Sequence, residues 1–177
     1  MKRSIILFVS LFVFLSLTPS GAEGREVLGW LEMVRIYPGN LKMRAKLDTG
    51  ARSSSINVYN LKKFERNGET WVSFELMEKR KDNKGKRYTF EKKVVDSVQI
   101  KKKGGGLDKR VVVKMDICLA GIYKKIEMSL TNRSNFNNQI LIGRMDLVWD
   151  FIIDPAAVFT HKPDCKIPEK LNPKKPE

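Results

Sequence analysis

The chain has 177 residues, 42% of them hydrophobic, enough to fill the core of one domain with short tails and too many for a disordered chain. Lys and Arg number 34 against 20 Asp and Glu, a formal net charge of +14, with one histidine (His161) and two cysteines (Cys118 and Cys165). A Ser-His-Asp or Cys-His hydrolase does not fit, because the one imidazole opens a Pro/Lys-rich tail. There is also no HExxH helix and no GxxxxGK[ST] loop, so any chemistry must come mainly from carboxylates.

At the N-terminus, Lys2 and Arg3 precede an apolar run from Ile5 to Leu17 that only Ser10 and Ser16 interrupt. Pro19 breaks the run, and Ser20-Gly21-Ala22 supplies the small residues that a signal peptidase needs. Residues 1–22 therefore read as a signal peptide whose removal leaves an exported, periplasmic protein without a transmembrane span. The alternative is a retained anchor, but spanning a bilayer takes roughly 20 apolar residues, and this run is shorter.

Beyond the leader the chain reads as β structure. Leu41 to Leu47 alternates apolar and basic residues without a break, the period of a half-buried strand, and Pro38-Gly39-Asn40 before it is a turn. Helical spacing occurs only around Val58 to Arg66. Trp71 to Met77 puts Val72, Phe74 and Leu76 on one face, and Tyr88 to Ile100 adds further β-favouring residues. Arg110 to Leu119 and Ile122 to Thr131 flank a tight hairpin at Ala120-Gly121. Ile140 to Ile142 has the pattern of a core strand, and Trp149 to Phe159 reads as a last strand interrupted at Asp154-Pro155. Trp30, Trp71, Trp149, Phe151 and Phe159 sit inside strand patterns and read as core. Residues 23–160 thus form an all-β barrel or sandwich domain, and residues 161–177 an extended Pro/Lys-rich tail.

The loops and charges leave alternatives open. Glu78 to Arg87 reads as an exposed hairpin tip, and Lys101 to Gly106, with its glycine triplet, as either a mobile lid or a loose surface loop. After export, Cys118 and Cys165 either pair, tying the tail to a strand, or remain one buried and one tail thiol. The basic excess between Lys79 and Lys103 is either a solvated face or a footprint for an anionic envelope component. Export and the lack of a recognised module argue against nucleic acid.

The stretch with most chemical content is Leu47-Asp48-Thr49-Gly50-Ala51, directly after the cleanest strand. It puts a carboxylate on a tight turn whose small residues let a second backbone come close. Alone, such a tripeptide is ordinary turn chemistry. Downstream, however, comes Gln139-Ile140-Leu141-Ile142-Gly143-Arg144-Met145-Asp146-Leu147. With both motifs in this order, the chain from Val27 to Phe159 resembles the retropepsin-like aspartic peptidases. It is most similar to their bacterial family with a D-T-G-A-[RK]-[ST]-S core, which has also been labelled "putative ATP-dependent zinc protease".

The resemblance implies a closed β-barrel with little helix, in which the Ile140–Gly143 segment threads beside the Asp48 turn as a ψ-shaped loop. It implies an aspartic endopeptidase acting on a peptide or protein substrate. That chemistry needs two carboxylates sharing one proton, and a chain with a single D-T-G can supply them only as a homodimer joining Asp48 to Asp48 of a second copy. Thr49 would bond across that interface, Gly50 and Ala51 would permit the close approach, and Gly143 and Arg144 would support the turn from beneath. Where such peptidases often carry acidic residues after the motif, Arg52-Ser53-Ser54-Ser55 stands here. Arg52 would favour an ionised Asp48 unless it points outward or pairs with Asp146. No cofactor is expected: Cys118, Cys165 and His161 lack the spacing of a zinc site, and no phosphate-cradling loop offers ATP a seat. The rival reading is a non-catalytic module of the same fold that binds a protein or an anionic polymer in the envelope.

Overall fold

A computed structural model describes residues 24–78, 85–101, 104–132 and 137–171. The expected signal peptide, residues 79–84 of the expected hairpin tip, residues 102–103 of the glycine-triplet loop, and the end of the tail lie outside the described residues. Ten strands make up nearly all the regular structure: β1 (Glu26–Tyr37), β2 (Leu41–Asp48), β3 (Ser54–Asn57), β4 (Tyr59–Arg66), β5 (Glu69–Met77), β6 (Arg87–Lys101), β7 (Leu107–Leu119), β8 (Ile122–Thr131), β9 (Ile140–Gly143) and β10 (Phe151–Val158). One turn of helix, α1 (Arg144–Leu147), and a 3-10 turn at Glu169–Leu171 complete it. No described helix is long and apolar enough to cross a membrane.

The strand order β1-β2-β9-β3-β8-β7 closes on itself through β1–β7 pairing, giving a six-stranded barrel. Closure leaves the free sheet edges outside the ring, at β10 and β4. β9 is the insert that closes the ψ-loop: it runs parallel to β2 and antiparallel to β3. Ile140 and Ile142 are fully buried within it, among Ala45, Ile56 and Met128 of the apolar core. On one flank β10 adds to β1 in parallel, and on the other β6, β5 and β4 extend from β7 as an arm. The Ala120-Gly121 hairpin forms with both residues at positive φ (49° and 83°), the geometry that matches strand twist in a two-residue hairpin.

Two expectations need correction and a third takes a particular form. Val58 to Arg66 holds no helix. β4 pairs with β5 as the edge of the arm, and the register shift between Tyr59 and Lys62 breaks the alternation that would have marked it as a strand. β10 continues through Asp154-Pro155, and the interruption expected there is present as a bulge: its register with β1 jumps from Gly29↔Asp154 to Leu31↔Val158. Of the five aromatics, Phe151 is buried, whereas Trp149 is 77% exposed and Trp30 and Phe159 are also open to solvent. Trp149 lies in the turn between α1 and β10, where no second layer covers it.

The chain after β10 is tied to the barrel. Buried Glu32 accepts hydrogen bonds from the Gly29 N–H (3.0 Å), the Thr160 N–H (2.8 Å) and the Thr160 hydroxyl (2.6 Å). Cys118 on β7 and Cys165 are joined as a disulfide, with Cα atoms 5.8 Å apart.

Candidate functional site

β2 delivers Asp48. Leu41, Met43, Ala45 and Leu47 point into the core, so Lys42, Arg44, Lys46 and Asp48 share the opposite face. The strand ends at Asp48 and the chain turns. The N–H groups of Gly50 and Ala51 donate to Asp48 Oδ1 at 3.1 and 3.3 Å, and the Ala51 N–H also approaches the Asp48 carbonyl oxygen at 3.2 Å. Lys46 Nζ donates to the other carboxylate oxygen, Oδ2, at 3.0 Å. Partial burial pushes the Asp48 carboxyl upward, but the Lys46 hydrogen bond and charge, together with the two turn N–H groups, outweigh it and hold the group below the usual aspartate range.

The cation beside Asp48 is thus Lys46 and not Arg52. The sequence held the signal: two residues apart on a strand means one face. Arg52 is exposed, and Asp146 takes a different partner.

The second motif supports the turn from inside. Asp48 and Gly143 are register partners across β2 and β9. The Gly143 backbone (φ −84°, ψ 164°) suits any residue, but an added Cβ would lie 2.6–2.8 Å from the Ser53 and Arg52 carbonyl groups. Glycine is needed there for room alone. The Arg144 N–H donates to the Ala51 carbonyl at 2.9 Å, the Met145 N–H to that of Arg52 at 3.2 Å, and Arg144 Nη1 reaches the Gly50 carbonyl at 3.3 Å. Ser54 and Asp146, which sequence reasoning gave no role in the turn's support, finish the lattice. Ser54 Oγ accepts from the Gly143 N–H (3.0 Å) and donates to Asp146 Oδ2 (2.5 Å). Burial raises the Asp146 carboxyl, and the Glu127 charge adds to this. The Ser54 bond and Lys124 offset it only in part.

The outer side is open. Thr49 and Gly50 are exposed, and the Thr49 hydroxyl has no hydrogen bond among the described residues. A Cβ on Gly50 would be tight only against Asp48 Oδ1, at 3.3 Å. Exposed Met145 and Val148 lie just beyond on and after α1, followed by Trp149, while Val27 and Ile152 are adjacent exposed partners on β1 and β10. Arg52, Ser53, Met145 and Asp146 help line a cleft of about 500 Å³ that continues to Lys125 and Glu127. Among the described residues no cluster of His, Cys, Asp or Glu could hold a metal ion. The zinc of the old family label does not fit: both cysteines are spent in the disulfide.

Residues 27–164 match the RimB-like family model, described as "Retropepsin-like aspartic endopeptidase RimB". Proteins named probable alpha-L-glutamate ligase from Shewanella halifaxensis and Desulfotalea psychrophila are 38% and 35% identical over 117 and 114 residues, 66% and 64% of this chain. The chain spans about a quarter of the length of these relatives (25% and 24%). The crystal structure of Lpg0085, a protein of unknown function from Legionella pneumophila, is 32% identical with a TM-score of 0.65, covering 78% of this chain and 100% of its own.

Proposed function

The chain belongs to the RimB-like family of retropepsin-like aspartic endopeptidases, and from that premise we propose that it is an exported peptide hydrolase whose active site forms between two copies. The observation that carries this reading is a half-finished site: Asp48, oriented by two turn N–H groups, beside an exposed Thr49-Gly50. Asp48 of a second copy supplies the other carboxylate. One carboxylate takes a proton from the attacking water while its protonated partner polarises the scissile carbonyl, and the proton then passes to the leaving amine. The exposed apolar side chain of Met145, whose N–H bonds the Arg52 carbonyl just after the turn, favours a second copy as the cover. The leader sequence supports export to the periplasm, and the Cys118–Cys165 disulfide suits an oxidising compartment.

The ligase activity in the relatives' name stays with those longer proteins, but it recommends glutamate-containing peptides as substrates to try. A second reading, a non-catalytic binding module, is favoured by the Lys46–Asp48 pair, which keeps the carboxylate ionised in a single copy.

Digestion of a diverse peptide library from acid to neutral pH, read by mass spectrometry, separates the two. The peptidase reading expects cuts by the mature chain that vanish in Asp48→Asn and that fade as pH rises far enough to ionise both carboxylates. Equal cutting by both chains, or none at any pH from a folded dimer, would overturn it.

A further inference from the structure

We propose that the outward face of β10, β1 and β2 docks on an anionic lipid bilayer, whether or not Asp48 cuts. Register partners Val27 and Ile152 share the outward side of the β1–β10 pair, and Leu31 and Val158 continue it beyond the bulge. Val27, Ile152 and Val158 are each about half exposed, which makes an apolar strip along the pair. Trp149 extends the strip at one end, lining a hollow with Gly24, Arg25 and Glu26 at the start of β1. Phe159 extends it at the other. Its φ of 52° is the left-handed region that a bulky residue avoids, and its ring is nearly half exposed. Asp154 lies on this side opposite Gly29, its carboxylate accepting the Ala156 N–H at 2.8 Å.

Charge and chain course both favour a membrane as the cover. Lys42, Arg44 and Lys46 occupy the outward face of β2, and the Arg44 guanidinium stands 6.0 Å from the centre of the Phe159 ring. Lys46 is held by Asp48, so Lys42 and Arg44 are the cations this face offers to lipid phosphates, and exposed Arg25 adds one beside Trp149. Aliphatic side chains that enter the acyl boundary, an indole at headgroup level and flanking cations are what an interfacial contact requires. The net charge of +14 steers the whole chain toward a negative surface. Pairing this face with itself in a second copy would bring two basic strips into one contact, which an anionic surface avoids. The apolar run of the leader ends at Leu17, seven residues before Gly24. Seven residues reach at most about 25 Å, so during export the Trp149 end of the strip is close to the bilayer that the run engages.

Vesicle sedimentation of the mature chain (residues 23–177) tests this without the leader's own affinity for lipid. Vesicles of phosphatidylcholine alone are compared with vesicles of equal parts phosphatidylcholine and phosphatidylglycerol. The expected result is partitioning about tenfold stronger onto the anionic vesicles. Trp149→Ser combined with Ile152→Ser should lower it about tenfold, and Lys42→Gln combined with Arg44→Gln should do the same. Leu61→Ser combined with Lys62→Gln, an exposed apolar and basic pair on β4, should change it less than about twofold. All six positions are exposed, and an unchanged thermal transition in each variant keeps misfolding out of the result. No partitioning, equal partitioning onto neutral vesicles, or an equal loss from the β4 pair would overturn the assignment. So would a Trp149→Ser, Ile152→Ser chain that sediments as a monomer where the wild type is a dimer yet binds vesicles unchanged, because the face would then belong to a second copy.

Discussion

The two sides of the Asp48 turn are built to different standards. On the inner side the turn is tied within one chain: Gly143 fills a space that admits no Cβ, its N–H is taken by Ser54, Ser54 in turn bonds Asp146, and the Ala51 and Arg52 carbonyls receive the first N–H groups around α1. On the outer side Thr49 and Gly50 face solvent, and among the described residues the ion-pair partner of Asp48 is a half-exposed lysine. A turn that merely reversed the chain would need neither so rigid a back nor so bare a front. The back fixes the carboxylate in place, and the front leaves it presentable to something outside the chain.

Substitutions on the two sides should therefore fail differently. Gly143→Ala forces the Ser53 and Arg52 backbone aside and should cost about 3 kcal/mol, read as a fall in the denaturation midpoint. Gly50→Ala, at a position open within one chain, should cost less than about 1 kcal/mol in the same assay while suppressing both dimer formation and peptide cutting. Comparable destabilisation by the two would erase the contrast. Ser54→Ala strands the Gly143 N–H and the Asp146 carboxylate and should cost roughly 1–3 kcal/mol. That cost should shrink as pH falls and Asp146, already raised by burial, becomes neutral.

The smallest effect belongs to Lys46–Asp48, an exposed pair worth less than about 1 kcal/mol. Because the folded Asp48 carboxyl sits below its ordinary value, its stabilisation is present above the unfolded value of about 4 and is lost as pH falls through the folded one. Lys46→Met should flatten that part of the acid-stability curve, and an unchanged curve would mean the turn N–H groups alone hold Asp48.

Much of this was legible in the sequence where one physical rule acted alone. The unbroken alternation of β2, the left-handed hairpin at Ala120-Gly121 and the apolar triplet of β9 each follow from burial or turn geometry without competition. β4 was not, because it is an edge strand with no buried face and a register shift, and with Val58 just before it Leu61 and Phe64 fall at three-residue intervals, which imitates a helix. Trp149 misled for a related reason: hydrophobicity predicts burial only where another layer exists to cover it. At the site, the D-T-G and Gly-Arg motifs marked the turn and its support. Lys46 was legible in principle as the same-face neighbour of Asp48, but within a basic strand it read as one more solvated lysine. The Ser54–Asp146 bond joins residues 92 apart and needed the fold to bring them together.

The central claim is that one copy holds half of the catalytic pair, and subunit mixing tests it most directly. Wild-type and Asp48→Asn chains, unfolded together, refolded at equal amounts and assayed at constant total concentration, should retain about one quarter of the wild-type activity, because only dimers with two intact carboxylates cut. Retention of one half would mean that each chain works alone and would contradict the shared dyad.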